Sequence, residues 1–72
     1  MSINIAVVGA TGNVGREMLA ILASKKFDSK NIFPVASSRS EGSRVDFGDD
    51  QLIVESIEKF VPSKVQIALF SA

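Results

Sequence analysis

The sequence predicts an α/β fold with a mainly parallel sheet. Three observations predict it: an apolar β-branched run at residues 3–8, a glycine-rich turn opening an amphipathic helical stretch, and further apolar runs near residues 31–37 and 65–70. Strand, helix and strand at this spacing form a βαβ unit, and such units build parallel sheets.

Ile3-Asn4-Ile5-Ala6-Val7-Val8 is closed by Gly9 and reads as a strand buried on both faces. Beyond the turn, Val14, Met18, Ile21 and Leu22 recur at helical spacing, with Leu19 and Ala23 widening the stripe. The helix is expected from about Asn13 to Ser24 or Lys25, with Lys25 and Lys26 in a last turn where cations complement the negative helix end. Phe27 to Lys30 is a polar connection. Asn31 to Ser37 is a second strand, in which Pro34 must lie at an edge, at a bulge or near the strand start, because proline cannot donate to a ladder. Ser37 to Arg44 is a polar loop containing Gly42. Val45 to Gly48 and Leu52 to Glu55 flank Asp49-Asp50-Gln51 as a hairpin or two short strands. Ile57 to Phe60 is expected to form one helical turn before Pro62, and Val65 to Phe70 the last strand. With a single full-length helix, one face of the sheet is expected to stay bare. Either something further covers it or chains associate.

Size and composition narrow the function. A chain of 72 residues forms at most one small domain, and such domains bury only about 60% of their unfolded surface. Neither cysteine nor histidine occurs, which removes a disulfide, a thiol nucleophile, a zinc site and the usual general base. Lys plus Arg and Asp plus Glu number 8 each, for zero net charge, so no basic face for nucleic acid is expected. Met1-Ser2 leads directly into the first strand with no signal-peptide pattern, and the apolar run is far shorter than the about 20 residues a membrane span needs. A cytoplasmic protein with no membrane partner is the expectation.

Gly9-Ala10-Thr11-Gly12-Asn13-Val14-Gly15 has a G-x-x-G-x-x-G spacing. Gly9 permits a sharp turn off the strand. Gly12, with no side chain, lets backbone N–H groups approach an anion. Gly15 lets the helix pack closely on the first strand. The unpaired amides of the first helical turn form a phosphate site, to which Thr11 adds a hydroxyl. A glycine turn chosen only for tight packing is the simpler reading. The strand before it, the helix after it and the second strand at βαβ distance favour a nucleotide.

In this architecture the end of the second strand meets the adenosine ribose, where an acid selects NAD and an arginine accommodates the 2′-phosphate of NADP. The sequence there is Val35-Ala36-Ser37-Ser38-Arg39-Ser40, with no acid before Glu41. Arg39 offers a planar fork of donors and Ser37 and Ser40 short hydroxyls. Taken alone the segment would be an ordinary solvated loop. About 25 to 30 residues past the glycine turn, it points to NADP. Ser71, after the last strand, is open to two readings: a group near the ribose or nicotinamide, or a residue of a frayed chain end. Asp46, Asp49 and Asp50 read as a solvated turn with no metal. Arg16 and Glu17 read as surface charges.

These segments resemble the N-terminus of the aspartate-semialdehyde dehydrogenase family over the whole chain: residues 7–15 as the phosphate loop, 36–40 with Gly42 as the adenosine-phosphate segment, and 68–72 as the strand reaching the nicotinamide side. The second segment is the more specific, since many dehydrogenases and epimerases share the glycine loop. The resemblance implies a Rossmann-type NAD(P)-binding fold, partial, with one long crossover helix and a β-hairpin insertion. It implies that Thr11, Gly12, Asn13 and Val14 contact the pyrophosphate region of NADP, and that Arg39 and Ser40 hold the 2′-phosphate. The family reduces aspartyl phosphate to aspartate semialdehyde, toward lysine, methionine and threonine, with a cysteine nucleophile and a histidine acid/base. Neither residue type is here, so no catalytic residue carries over. Residues 1–72 are expected to be the N-terminal portion of the coenzyme domain, with the catalytic and dimerisation domain absent. Three alternatives stay open. Acetylglutamyl-phosphate reductase usually has Tyr-Thr after the second glycine, where Asn13-Val14 stand. A short-chain reductase needs a catalytic tyrosine, and none is present. The third is a non-catalytic nucleotide-binding or assembly module.

Overall fold

The computed structural model describes residues 3–71. Four parallel strands form one sheet in the order β5-β2-β1-β6: β1 is Ile5–Val8, β2 Ile32–Ala36, β5 Glu55–Ser56 and β6 Ile67–Phe70. A hairpin of β3 (Arg44–Phe47) and β4 (Asp50–Ile53) forms a second, antiparallel pair. The one α-helix among the described residues, α1, spans Asn13–Ser24.

β1 is central and its residues Ile5, Ala6 and Val7 are buried, as expected for a strand covered on both faces. Ile5 and Val7 join Leu19, Leu22, Ile32, Ala36, Val45 and Phe47 in the core beneath α1. The helix sits rotated from the expected stripe. Gly15, Leu19 and Leu22 are its buried residues, with Met18 and Ala23 partly packed, while Val14 and Ile21 are about half exposed. The reason is Gly15: the close approach it allows puts the 15, 19, 22 row against the sheet, and Val14 and Ile21 fall on the flanks.

The helix stops one residue before the expected cations. Lys25 is the C-cap and Lys26 takes φ 66°. Lys26 N–H donates to the Ala23 carbonyl and Phe27 N–H to the Leu22 carbonyl, a Schellman closure in a position that glycine normally fills. Lys26→Gly is therefore expected to raise stability by about 0.5–1 kcal/mol, read as an increase in the urea midpoint at constant slope.

Pro34 lies mid-strand without breaking the ladder. The Val35 carbonyl faces β1, where it accepts from Gly9, so by alternation the Pro34 nitrogen faces the β5 side. Pairing with β5 begins only at Val35, which makes Pro34 locally an edge residue. The hairpin loop is Gly48-Asp49, with Gly48 at φ 62°, and Asp50 already opposes Phe47. The loop thus begins one residue before the expected tip at Asp49 to Gln51 and is one residue shorter, because glycine supplies the positive φ. Asp46, Asp49 and Asp50 are all exposed. The expected strand 52–55 divides at buried Val54, whose N–H donates to the Ser43 carbonyl, and Glu55–Ser56 crosses to the other sheet. Residues 57–60 form the expected single turn, closed by the Lys59 and Phe60 amides on the Ser56 carbonyl. Pro62, lacking an N–H, opens a short 3₁₀ turn.

The expectation of one bare face is met only in part, since Ala68 and Phe70 on that face are exposed. The strand order takes residues 57–66 from the β5 edge to the β6 edge. Ala6 and Val35 alternate with the core residues under α1, so they point away from the helix, yet both are fully buried. The right-handed crossover rule places the 57–66 segment over that face. What stays uncovered is β6, where Ile67 is 43% and Phe70 70% exposed.

Candidate functional site

The carboxyl ends of β1, β2 and β6 lie at one end of the sheet, and the segments following them converge there. After β1, Gly9 turns the chain with φ 87°. Its amide and that of Ala10 both donate to the Val35 carbonyl on β2, at 2.8 and 3.1 Å. Gly12 N–H returns to the Gly9 carbonyl, and the Gly12 carbonyl accepts from Arg16. Among the described residues the amides of Asn13, Val14 and Gly15 then have no acceptor, and no side chain caps the helix start. Three aligned N–H groups at the positive end of α1 form an anion site.

The three glycines do different work. A Cβ on Gly9 would overlap Ser71 Oγ in a backbone conformation that side chains avoid. A Cβ on Gly15 would overlap the Gly9 carbonyl oxygen and lie 2.8 Å from Ala10 Cα, so Gly15 packs on the turn itself rather than on the body of β1. Gly12 differs. Its φ of −80° suits any residue, it is exposed, and a Cβ there would meet only the Gly9 carbonyl oxygen at 3.5 Å. The fold does not require glycine at 12. Clear space beside the open amides does, and a pyrophosphate fits such a cradle. Thr11 is half-buried in the turn, and Asn13 and Val14 are exposed at the helix start.

After β2, Ser37 leads into a 3₁₀ turn at Ser38–Ser40. Amides of Ser40 and Glu41 return to the carbonyls of Ser37 and Ser38, and Gly42 N–H donates to Val54. The loop is therefore held by its own main chain. Ser37 and Arg39 are exposed, Ser40 half-buried, and Arg39 forms no ion pair among the described residues. Glu41 at its far end takes a 2.9 Å contact from Lys59, an exposed pair that raises the lysine above its ordinary pKa, by hydrogen bonding first and then by charge.

Ser71 is anchored rather than frayed: its N–H donates to the Val8 carbonyl, and its hydroxyl lies 3.2 Å from the carbonyls of both Val8 and Gly9. Ala72, part of the segment expected to reach the nicotinamide side, lies outside the described residues. Sequence reasoning did not single out Val35. It acts through a main-chain carbonyl, which leaves no side-chain signal.

A parallel sheet whose first strand turns through glycines into a helix with open amides defines a dinucleotide-binding α/β domain. The chain belongs to the semialdehyde dehydrogenase NAD-binding domain family, whose model matches residues 4–72. That family takes a nicotinamide coenzyme. Aspartate-semialdehyde dehydrogenase of Legionella pneumophila is 49% identical over 70 residues, covering 97% of this chain and 20% of that protein. The Rickettsia bellii enzyme of the same name is 49% identical over 69 residues, 96% of this chain and 20% of its own length. Among solved structures, aspartate semialdehyde dehydrogenase II from Vibrio cholerae complexed with ASA superposes with a TM-score of 0.88 at 43% identity, over all of this chain and 24% of that one. A probable aspartate-semialdehyde dehydrogenase from Pseudomonas aeruginosa gives 0.90 at 36% identity, over 100% and 22%. The chain thus spans about a fifth of the length of the curated relatives it matches. No helix among the described residues is long and apolar enough to cross a membrane.

Proposed function

We propose that residues 1–72 are the N-terminal, NADP(H)-binding portion of an aspartate-semialdehyde dehydrogenase, working in the cytoplasm in the reduction of aspartyl phosphate to aspartate semialdehyde. The observation that carries the reading is the glycine turn with its three open amides, held by β2 so that the Arg39 loop follows from the same strand end. In this reading Gly9 shapes the turn, the open amides of Asn13, Val14 and Gly15 receive the pyrophosphate with Thr11 and the clear space at Gly12, and Ser37, Arg39 and Ser40 receive the adenosine 2′-phosphate. Three features support NADP over NAD: no carboxylate stands between Ala36 and Ser40, Arg39 has no acidic partner among the described residues, and a guanidinium matches phosphate oxygens in pairs.

The bound coenzyme supplies the hydride. The chain's own part is to bind and orient it: the amides fix the pyrophosphate, Arg39 the adenosine end, and Ser71 holds β6 against the turn. The sequence contains neither cysteine nor histidine, so we assign it no catalytic residue and expect no turnover from it alone. The apolar β6 edge is where we propose the chain meets its cover, either further polypeptide or a second copy. Sedimentation separates these, since a monomer at every concentration excludes the copy.

The coenzyme assignment is tested by titrating NADPH and NADH against the chain. Wild type is expected to favour NADPH by about tenfold or more, and Arg39→Met to bring the two dissociation constants within about threefold of each other. Equal affinity in the wild type defeats the assignment.

A further inference from the structure

An open groove of about 790 Å³ runs between α1 and the β3–β4 hairpin, lined by Arg16, Ala20, Ala23, Arg44, Asp46 and Gly48, with others. That is within the size range of small-molecule sites, about 300–1,000 Å³. Its direction follows from one contact. A Cβ at Gly48 would sit 3.4 Å from that of Ala23, so the hairpin turn lies against the last turns of the helix. Arg44, four strand residues back, is about 13 Å from that point. Arg16, seven helical residues back, is about 10 Å from it. The helix and β3 run side by side in the same direction, and both guanidiniums line the groove at its other end.

That end borders the glycine turn, because Arg16 is in the first turn of α1, and it borders the Arg39 loop, because Arg44 is the first β3 residue after it. Neither arginine forms an ion pair among the described residues. One acid lines the groove, Asp46, set one pleat further toward the hairpin turn and 3.3 Å from the Gln51 side-chain amide. Small residues at Ala20, Ala23 and Gly48 keep the space between the elements open. Two unneutralised guanidiniums flanking a nucleotide cradle call for an anion.

We infer that Arg16 and Arg44 form a second cationic clasp for the adenosine 2′-phosphate, opposite Arg39, so that coenzyme preference depends on all three. This rests on the NADP reading above. The test compares wild type, Arg44→Met, Arg44→Lys and the Arg16→Met/Arg44→Met pair, each checked for an unchanged circular dichroism spectrum. The ligands are NADPH, NADH, adenosine 2′,5′-bisphosphate and AMP. The double variant is expected to lose about tenfold in affinity for NADPH and the bisphosphate, and no more than about twofold for NADH and AMP. Arg44→Lys should retain part of the preference, since it keeps the charge but not the fork. Equal losses for NADH and NADPH would overturn the inference by assigning the pair to the shared pyrophosphate, and unchanged NADPH affinity would overturn it outright. A wild type with no NADPH preference would instead sink the NADP reading on which it stands.

Discussion

Gly12→Asp is expected to weaken NADPH binding by about two orders of magnitude or more while leaving the fold intact. Residue 12 is the N-cap of α1 with φ −80° and ψ 170°, a conformation aspartate adopts freely. Aspartate is also among the better N-caps, and its carboxylate can accept from the amides glycine leaves open. The melting temperature should stay the same or rise slightly. Binding moves the other way, because the carboxylate occupies the anion's place and repels it. Two unit charges about 4 Å apart interact by about 4 kcal/mol at an effective dielectric of about 20, and solvent at this open site lowers that figure. Gly12→Asn serves as the control of similar shape without the charge. A Gly12→Asp protein that binds NADPH like wild type would remove the phosphate cradle from the account.

Gly15→Ala should do the reverse, damaging the fold before the site. Glycine to alanine inside a helix ordinarily stabilises by about 0.5–1 kcal/mol. Here the new methyl overlaps the Gly9 carbonyl oxygen and stands 2.8 Å from Ala10 Cα. Both neighbours are main chain, and both amides at Gly9 and Ala10 are tied to Val35, so the turn cannot yield without breaking its link to β2. Overpacking of this kind costs about 1–3 kcal/mol or more. In a chain this small that corresponds to a fall of about 5–20 °C in melting temperature. An unchanged or raised melting temperature would show that the helix pulls away from the turn at little cost.

Much of this was legible in the sequence, for reasons that differ by element. Residues 5–8 could be read because a strand buried on both faces has no polar alternation to confuse it. The helix bounds followed from the glycine before it and the change of periodicity after it. Its rotation did not, because Gly15 counts as nothing on a hydrophobic stripe, yet its lack of a side chain decides which row meets the sheet. The crossover at 57–66 was missed for a related reason: the segment is irregular and carries no period. At the site, Gly12 and Arg39 announce themselves by residue type. The pairing of Arg16 with Arg44 arises only when β3 is laid alongside α1 in the same direction, and no spacing in the sequence encodes that.

The pairing of β1 with β6 has a consequence for how the molecule assembles. Asn4 and Gln66, joined just below that pair of strands, are 62 positions apart, whereas β1, α1 and β2 are neighbours in the chain. Long loops cost entropy to close before any contact rewards them, so the outer strand docks late and, being exposed at its edge, detaches first. The clasp between the turn and Val35 precedes it in the folding order. The latch at Ser71 therefore opens and closes on a turn already formed, and exchange of β6 amides with solvent reports that latch while those of β1 and β2 report the whole fold.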